Sequence, residues 1–283
     1  MNATAFFKYA RDRQCVMLKR MSGEEFPWTS DPILTANRFC NVFREDDRTT
    51  MWFRENIRDP LNGSPEVFLA TVAFRWFNRI STGEIIKDLL LDGWDSDKAK
   101  SLLTDVRPVV TGAYIIKTPN GMKKLDGVCW CIDQVAQGAP RLLQNWDHTA
   151  TMEGAHKVVK EFPFLGKFMA YEIVCDLRYT HLLENADDIY TWASPGPGAA
   201  RGISRILTDD PKSFSYGSKK DHEVLLQSMR GLLLQAGDGD LWPSHWPKWD
   251  MRTVEHTLCE FDKYERCRLG QGRMKQKFRA PKG

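Results

Sequence analysis

Apolar residues recur three and four positions apart along most of the chain, which is the spacing of amphipathic α-helices. One such stripe lies near 4–20. A second begins at Ser64-Pro65, where Ser can cap the helix and Pro suits its first turn. This second helix is apolar around most of its girth, so we expect it to be buried. The same spacing predicts further helices near 95–106, 125–137, 151–161, 166–179, 221–235 and 250–267.

Strand-like alternation is nearly absent from the chain. Residues 113–116, before a Pro-Asn-Gly turn, could form one short hairpin arm, and 81–84 has the sequence of a helix capping box. Internal repeats and low-complexity linkers do not occur. The predicted fold class is therefore all-α. We expect one compact catalytic unit over 1–265, which could be bilobal, and a basic flexible tail over 266–283.

The stretch 161–202 combines a turn, an apolar helix and a polar loop. Pro163 and Gly166 bracket a tight turn, because Pro presets φ and Gly accepts a positive φ. Free N–H groups at the start of the next helix suit a phosphate, so Gly166 and Lys167 are candidate DNA contacts. An ordinary joint between two helices is the alternative. Asp187 and Asp188 follow 21 and 22 residues after Gly166.

This spacing resembles the helix-hairpin-helix DNA glycosylase superfamily. In that superfamily a hairpin of the Leu-Pro-Gly-Val-Gly type grips the DNA backbone, and a catalytic Asp follows after one helix and a loop. Here Phe164-Leu165 replaces the usual inner Gly-Val. The resemblance implies a helix-hairpin-helix DNA glycosylase-like fold.

Two other segments concentrate polar groups. The segment 28–52 interleaves aromatic residues with arginines, which a solvated loop alone does not explain. The loop 196–202 offers Arg201, whose planar donor fork matches phosphate, and glycines that permit close backbone approach. It is not a P-loop, because no Gly-Lys-Ser/Thr follows and no strand precedes it. The candidate binding residues are Arg38, Asn41, Arg44, Asp47 and Trp52 in the first segment and Gly196, Gly198 and Gly202 in the second.

The last predicted helix places Glu260, Lys263 and Tyr264 within one helical turn. An acid and a base at this spacing could serve a site, and an intrahelical ion pair is the alternative. We take Glu260 as a candidate catalytic acid or base, with Lys263 and Tyr264 as candidate substrate contacts.

Charge is distributed unevenly. Residues 263–283 hold eight Lys or Arg and one Glu, a net charge of +7, whereas the whole chain carries +3, so residues 1–262 carry −4. A basic, glycine-containing tail on a mildly acidic body is typical of a phosphate-seeking arm, and a merely solubilising tail is the alternative. The candidate DNA contacts in the tail are Arg273, Lys275 and Lys277.

The cysteine content and the hydropathy of the chain argue against a disulfide-stabilised or membrane-spanning protein. Seven cysteines without an apolar leader argue against a disulfide framework, and their spacing makes no zinc pattern, so we expect no metal ligand set. No apolar run approaches the length of a membrane span. We expect a cytoplasmic protein, in the host bacterial cytoplasm if it is phage-encoded, with no membrane partner.

In their order along the chain, these pieces resemble the α-glutamyl/putrescinyl thymine pyrophosphorylases of phages with hypermodified thymine. The resemblance spans roughly residues 35–265. The segments that carry it are Arg38-Phe39-Cys40-Asn41-Val42-Phe43-Arg44 with Asp46, Asp47 and Trp52, Phe74-Arg75-x-x-Asn78, Gly-Pro-Gly-x-x-Arg-Gly at 196–202, and Glu260-Phe261-x-Lys263-Tyr264. A related helical domain is fused to a P-loop kinase in the enzymes that phosphorylate 5-hydroxymethyluracil in DNA. This chain lacks the P-loop, so we do not expect the kinase step.

The resemblance implies a transferase acting on double-stranded DNA that carries modified thymine. Pyrophosphate on 5-hydroxymethyluracil would be replaced by an amine, such as glycine, glutamate or putrescine. A flipped base would need stacking aromatics and a phosphate-gripping turn. Asp187, Asp188 or Glu260 would accept the amine proton, and Arg201 would clamp the leaving group. No cofactor is required, although a divalent metal could sit on the pyrophosphate.

Two alternatives remain open from the residues. A DNA glycosylase would use the same Asp, with Lys167 as its candidate nucleophile, and would leave an abasic site. A non-enzymatic helical DNA-binding module would depend on the basic tail and would lose little when the two Asp residues are replaced.

Overall fold

A computed structural model describes residues 3–146, 151–208, 210–274 and 276–279. This part of the chain is all-helical, as predicted. Its first seven α-helices are α1 (Thr4–Met21), α2 (Pro32–Ala36), α3 (Arg48–Phe53), α4 (Glu66–Phe77), α5 (Ile80–Ile85), α6 (Lys87–Leu91) and α7 (Ser96–Leu103). The others are α8 (Lys124–Gln144), α9 (Met152–Val159), α10 (Lys167–Leu177), α11 (Pro197–Thr208), α12 (Lys219–Gln235) and α13 (Met251–Arg268). A 3₁₀ turn covers Arg44–Asp46 and a π-helical turn covers Arg54–Arg58.

Each long periodic segment forms a helix, and the bounds agree within a few residues except for α8, which continues past its predicted end at 137 to Gln144. The short helices α2 and α3 and the 3₁₀ turn lie inside the segment predicted as a polar loop, where no long apolar stripe announces them. The predicted hairpin arm at 113–116 is wrong, because those residues form no strand. Within the described ranges, the one β-type pairing is an isolated antiparallel bridge between Asn37 and Lys277.

The predicted capping box at 81–84 is also wrong. Helix α4 ends at Phe77, its C-cap Asn78 has a positive φ of 43°, and α5 begins at Ile80, one residue before Ser81. Thr82 therefore lies inside α5, and its hydroxyl donates to the carbonyl of Val109 at 2.7 Å. The Ser81 hydroxyl accepts Nε of Arg79 at 2.8 Å and Glu84 accepts the indole N–H of Trp52, so neither side chain caps a helix.

The chain divides into two compact units, one of Met1–Asp47 with Tyr190–Gly283 and one of Arg48–Ile189. The core of the first unit is aromatic. Phe6 of α1 lies edge-on to Trp249, with ring centroids 5.7 Å apart, and to Phe261 of α13, at 5.6 Å. Helix α11 packs along α13 in the same unit. The longest of the helices in this unit, α1 and α13, thus share one apolar interior.

The second unit is built around α4, which is buried on nearly all sides, as its sequence predicted. Phe74 stacks on Phe53, with centroids 4.7 Å apart and planes 9° from parallel. α8 and α10 pack on other faces of α4. Burial of this helix is expected to supply much of the hydrophobic stabilisation of the unit, because its large apolar side chains are withdrawn from water.

All seven cysteines are free thiols, which confirms that no disulfide framework holds the fold. Across the described residues, none of the helices combines the length and the apolar character that crossing a bilayer would need.

Candidate functional site

Helix α13 carries an unusual row of buried polar side chains. The helix begins after Asp250, whose carboxylate accepts the N–H of Thr253 at 2.7 Å and so caps the first turn. Beyond the cap, four carboxylates and one imidazole of this helix are withdrawn from water: Glu255, His256, Glu260, Asp262 and Glu265. Buried charges are costly unless they are paired. The partners of these groups therefore indicate what the helix is built to hold.

Glu260 holds two groups at once. Its Oε2 accepts the backbone N–H of Cys40 at 3.2 Å, and its Oε1 accepts a hydrogen bond from Lys263 on the next turn. Burial, the largest effect, lowers the pKa of Lys263, but the Glu260 carboxylate together with Cys40 and Cys259 raises it, and the resulting pKa lies above its ordinary value. The predicted intrahelical ion pair is thus present, and it is also anchored to the chain at Cys40.

Arg13 of α1 fixes the segment that faces this part of α13. Its Nε donates to the carbonyl of Cys40 at 2.9 Å, and its Nη2 donates to Oδ1 of Asn41 at 2.6 Å. Asn41 in turn donates its backbone N–H to Oδ1 of Asp47 at 3.0 Å and its amide to the carbonyl of Asp46 at 2.6 Å. The predicted binding residues Asn41 and Asp47 are therefore brought together, and a buried arginine holds them.

Cys40, Asp47 and His256 converge in the same place. Their potential ligand atoms, the sulfur, a carboxylate oxygen and a ring nitrogen, all lie within 4.8 Å of one another. Burial raises the pKa of the Asp47 carboxyl most strongly, against the lowering effect of the Asn41 N–H. Burial likewise raises the pKa of the Cys40 thiol, and the neighbouring Glu260 carboxylate adds to that effect. Sequence reasoning did not select Cys40 as a ligand, nor His256 and Arg13, because their spacing forms no local motif.

Three arginines surround one carboxylate on the neighbouring face of α13. The fully buried Asp262 accepts hydrogen bonds from Nε of Arg201 at 2.8 Å and Nε of Arg205 at 3.0 Å. Nε of Arg266 lies 3.4 Å from the same carboxylate and forms an ion pair with it. Arg205 is buried, whereas the Arg201 and Arg266 side chains remain 38% and 37% exposed. Three guanidinium groups against one carboxylate leave this group of residues strongly positive where it meets solvent.

The glycine segment that precedes Arg201 is not the loop that we predicted. It forms the start of α11, and the N–H of Gly196 donates to Oε1 of Glu255 at 3.3 Å. A Cβ added at Gly198 would lie 2.7 Å from the sulfur of Cys259, and one at Gly202 would lie 2.7 Å from the carbonyl oxygen of Leu258. The close approach that these glycines permit is therefore the approach of α11 to α13.

Asp187 and Asp188 belong to the second unit. Asp187 is exposed, whereas the Asp188 carboxylate accepts the N–H groups of Met152 at 2.6 Å and Glu153 at 3.0 Å. With the Thr151 hydroxyl, which accepts the N–H of Gly154 at 2.9 Å, Asp188 satisfies the first turn of α9. Asp188 is thus a helix-capping residue in this structure.

The turn before α10 is also in the second unit, and its backbone differs from the prediction. The positive φ of 64° falls on Phe164, whereas Gly166 has a φ of −66° and lies just before the helix. The prediction that Gly166 adopts a positive φ is therefore wrong. Gly166 and Lys167 are both exposed, and the Lys167 carbonyl lies 2.9 Å from Nε2 of His156.

The remaining predicted contacts are dispersed. Trp52 is in the second unit, where its ring stacks on Phe74 at 5.3 Å and its indole N–H donates to Glu84. In the first unit, Tyr264 donates its hydroxyl to Asp31 at 2.6 Å. Arg38 is exposed and Arg44 is half-buried in the 3₁₀ turn.

Part of the basic tail lies against the first unit. The N–H of Arg38 donates to the carbonyl of Gln276 at 3.2 Å, and the N–H of Phe278 donates to the carbonyl of Ala36 at 3.1 Å. Lys277 reaches the side chain of Asn37 at 2.8 Å. Arg273 is exposed, and Lys275 lies outside the described residues.

Comparison with known proteins identifies the family. The family described as "5-hmdU DNA kinase, helical domain" matches residues 2–274. The chain belongs to this family. A curated 5-hmdU DNA kinase of Bacillus phage SP10 is 25% identical over 284 residues, which cover 89% of this chain and 43% of the kinase. The chain therefore spans less than half the length of that relative.

The match confirms the coarser part of the predicted resemblance, which placed this chain beside the helical domain of those kinases. No solved structure matches the chain. The family assignment thus rests on sequence alone.

Proposed function

We propose that this protein modifies thymine-derived bases in DNA by replacing a pyrophosphate with an amine. The relative from Bacillus phage SP10 is named for a kinase acting on 5-hmdU in DNA, which supports a substrate of the same chemical class. The substrate would be DNA that carries pyrophosphorylated 5-hydroxymethyluracil. The product would carry an amino acid or a polyamine on the exocyclic methylene carbon.

The cluster of arginines around Asp262 is the observation that carries this proposal. Departing pyrophosphate develops negative charge, and fixed guanidinium donors stabilise such charge most effectively where water is partly excluded. Arg205 is committed to the buried carboxylate, while Arg201 and Arg266 each keep part of the side chain at the surface. In this proposal Arg201 and Arg266 contact the pyrophosphate, and Asp262 holds them in place.

Glu260 is the proposed general base. The amine is protonated at neutral pH and must lose a proton before its nitrogen attacks the methylene carbon. That proton passes to a carboxylate, and the freed nitrogen lone pair then forms the new C–N bond as the C–O bond to pyrophosphate breaks. Glu260 lies in the same unit as Arg201, two residues before Asp262 on α13. We prefer it to Asp188 because Asp188 belongs to the second unit, whereas Glu260 and Arg201 both belong to the first.

Mass spectrometry of nucleosides tests the proposal. Phosphorylated and pyrophosphorylated 5-hydroxymethyluracil DNA would be incubated with the protein and with glycine, glutamate or putrescine in separate reactions. We expect a nucleoside with the mass of one amine adduct, together with released pyrophosphate. Abasic sites instead of an adduct would establish the glycosylase alternative, and tight binding with unchanged nucleosides would establish the non-enzymatic alternative.

A second candidate function is a DNA-recognising part of a kinase reaction. The family match, and the kinase name of the relative, favour it. The sequence contains no Gly-Lys-Ser/Thr phosphate-binding motif, so the phosphoryl donor would have to be held elsewhere. Affinity measurements separate the two, because tighter binding of 5-hydroxymethyluracil DNA than of its pyrophosphorylated form, with no amine adduct formed, would favour the DNA-recognising part of a kinase reaction.

A further inference from the structure

The convergence of Cys40, Asp47 and His256 brings three different ligand types to one point. Cys40 comes from the segment after α2, Asp47 ends the 3₁₀ turn, and His256 lies in the second turn of α13. Their ligand atoms lie within 4.8 Å of one another. In a tetrahedral zinc site the bond lengths imply ligand atoms about 3.5 Å apart. Small side-chain rotations would therefore close this group around one ion.

The backbone around these ligands is held from several sides. The Cys40 N–H donates to Glu260 at 3.2 Å, and the Cys40 carbonyl accepts Nε of Arg13 at 2.9 Å. Oδ1 of Asp47 accepts the Asn41 N–H at 3.0 Å, which orients the carboxylate. Hydrogen bonds of this kind fix the direction of first-shell ligands in known metal sites.

We propose that Cys40, Asp47 and His256 bind a divalent transition metal ion, of which zinc is the best match. A sulfur, an imidazole nitrogen and a carboxylate oxygen form the mixed set that borderline-soft Zn²⁺ accepts, whereas Mg²⁺ and Ca²⁺ prefer oxygen ligands. Three protein ligands leave one tetrahedral position open for water or a substrate group. This is the arrangement of catalytic sites, because structural zinc sites have four protein ligands.

The ligands themselves supply the negative charge for a divalent cation, while Arg13 and Arg44 lie near Asp47 and Lys263 lies near Cys40. A thiolate and a carboxylate together contribute two negative charges, which one divalent ion neutralises. Glu260, the nearest further carboxylate on α13, is already paired with Lys263. The ion would lie one helical face away from the arginines around Asp262, on the same helix, so it would not depend on those arginines. The inference is accordingly independent of amine transfer.

Cobalt substitution tests the site directly. The purified full chain would be treated with chelator, dialysed and titrated with Co²⁺, which gives a sulfur-to-cobalt charge-transfer band only when a thiolate is a ligand. We expect the band to saturate at one equivalent and to disappear when Zn²⁺ is added. Cys40→Ser should abolish the band. His256→Gln and Asp47→Asn should weaken metal binding by more than about 100-fold, the upper end of the loss caused by second-shell substitutions.

Cys267→Ser is the matched control, because Cys267 is a half-buried cysteine of α13 outside the group. It should keep the band and the stoichiometry. If Cys40→Ser does not fold, the wild-type chain still decides the question, since Zn²⁺ must raise its Tm and chelator must reverse the rise. A wild-type chain that gives no thiolate band and no zinc-dependent Tm shift would overturn the inference. In that case the thiol, the imidazole and the carboxylate would have a role that needs no metal ion.

Discussion

The Asp188 carboxylate accepts the backbone N–H of Met152, the first residue of α9, at 2.6 Å. Its other oxygen accepts the next N–H of the same helix, so one side chain, 36 residues further along the chain, satisfies two of the donors that a helix start leaves unpaired. Asp188, which the sequence suggested as a general base, therefore stabilises the start of a helix.

Asp188→Ala should lower the free energy of unfolding by about 1–2 kcal/mol, the loss usual for a helix cap. Asp187→Ala is the matched control, because its neighbouring carboxylate is exposed and its loss should change stability by less than about 0.5 kcal/mol. Urea denaturation of both variants checks this. A fall in activity for Asp188→Ala with unchanged stability would instead restore Asp188 as the base.

Arg201→Ala should reduce turnover far more than DNA affinity, because its guanidinium would act on charge that develops in the transition state. The expected loss in kcat is about 100- to 1,000-fold, as for removal of one donor to a developing anion. Arg230→Ala is the control, since Arg230 is exposed to a similar degree, 40% against 38%, and pairs with Glu223. Equal losses of turnover and affinity in Arg201→Ala would contradict the role.

The ion pair between Arg75 and Asp176 is buried in the second unit, with Nη2 of Arg75 2.6 Å from Oδ1 of Asp176. Asp176→Ala should destabilise the protein by about 3–5 kcal/mol, because it leaves a buried charge without its partner. The double variant Arg75→Met, Asp176→Leu should recover much of that loss. Asp12→Ala, which removes the exposed pair with Lys8, should cost less than about 1 kcal/mol. Similar unfolding midpoints for Asp176→Ala and Asp12→Ala would argue against the buried pair.

Gly202→Ala should destabilise the first unit by about 1–3 kcal/mol, because the added carbon would meet the carbonyl oxygen of Leu258 at 2.7 Å and force α11 away from α13. Gly166→Ala is the contrast. Its φ of −66° suits alanine, and among the described residues no atom lies within 4 Å of the added carbon. Its stability should change by less than about 0.5 kcal/mol. Thermal unfolding compares the two, and a large loss in Gly166→Ala would show that glycine is needed there after all.

His156 should make stability fall in mild acid. Burial lowers its pKa below the ordinary value of 6.5, and the nearby Lys160 and Lys167 lower it further, against the bond to the Lys167 carbonyl. The unfolded chain then binds a proton at His156 more readily than the folded protein does, so protonation favours unfolding. The stabilising contribution of the neutral imidazole is complete above the unfolded pKa and is lost as pH falls below it. Urea midpoints between about pH 8 and about pH 5 should drop more for wild type than for His156→Gln. Parallel pH profiles would refute this.

The sequence predicted the large helices because their apolar stripes are long and periodic. It also selected Asn41 with Asp47, and Glu260 with Lys263, each pair close enough along the chain to form local contacts. The triad of Cys40, Asp47 and His256 escaped prediction, because only tertiary packing brings α13 to the segment after α2. Residues so far apart in the sequence form no local motif that could reveal their contact.

The predicted loop at 196–202, which in fact contains the start of α11, is wrong for a different reason. Gly-Pro-Gly has the composition of a loop, and local propensity favours that interpretation. In the folded protein, proline occupies the first helical position, and the glycines remove side chains where α11 touches α13. Tertiary packing decides the conformation here. A single sequence does not distinguish a glycine that admits a ligand from one that admits a neighbouring helix.

The pairing of residues 276–278 with residues 36–38 connects the basic tail to the start of the segment that holds Cys40. A polyanion that draws the tail away must break these backbone hydrogen bonds and release one end of that segment. Linkage is reciprocal, so any ligand that stiffens the segment also favours the docked tail. If the tail binds nucleic acid and Cys40 binds metal, as we propose, each of these two ligands would therefore weaken the binding of the other by the same factor.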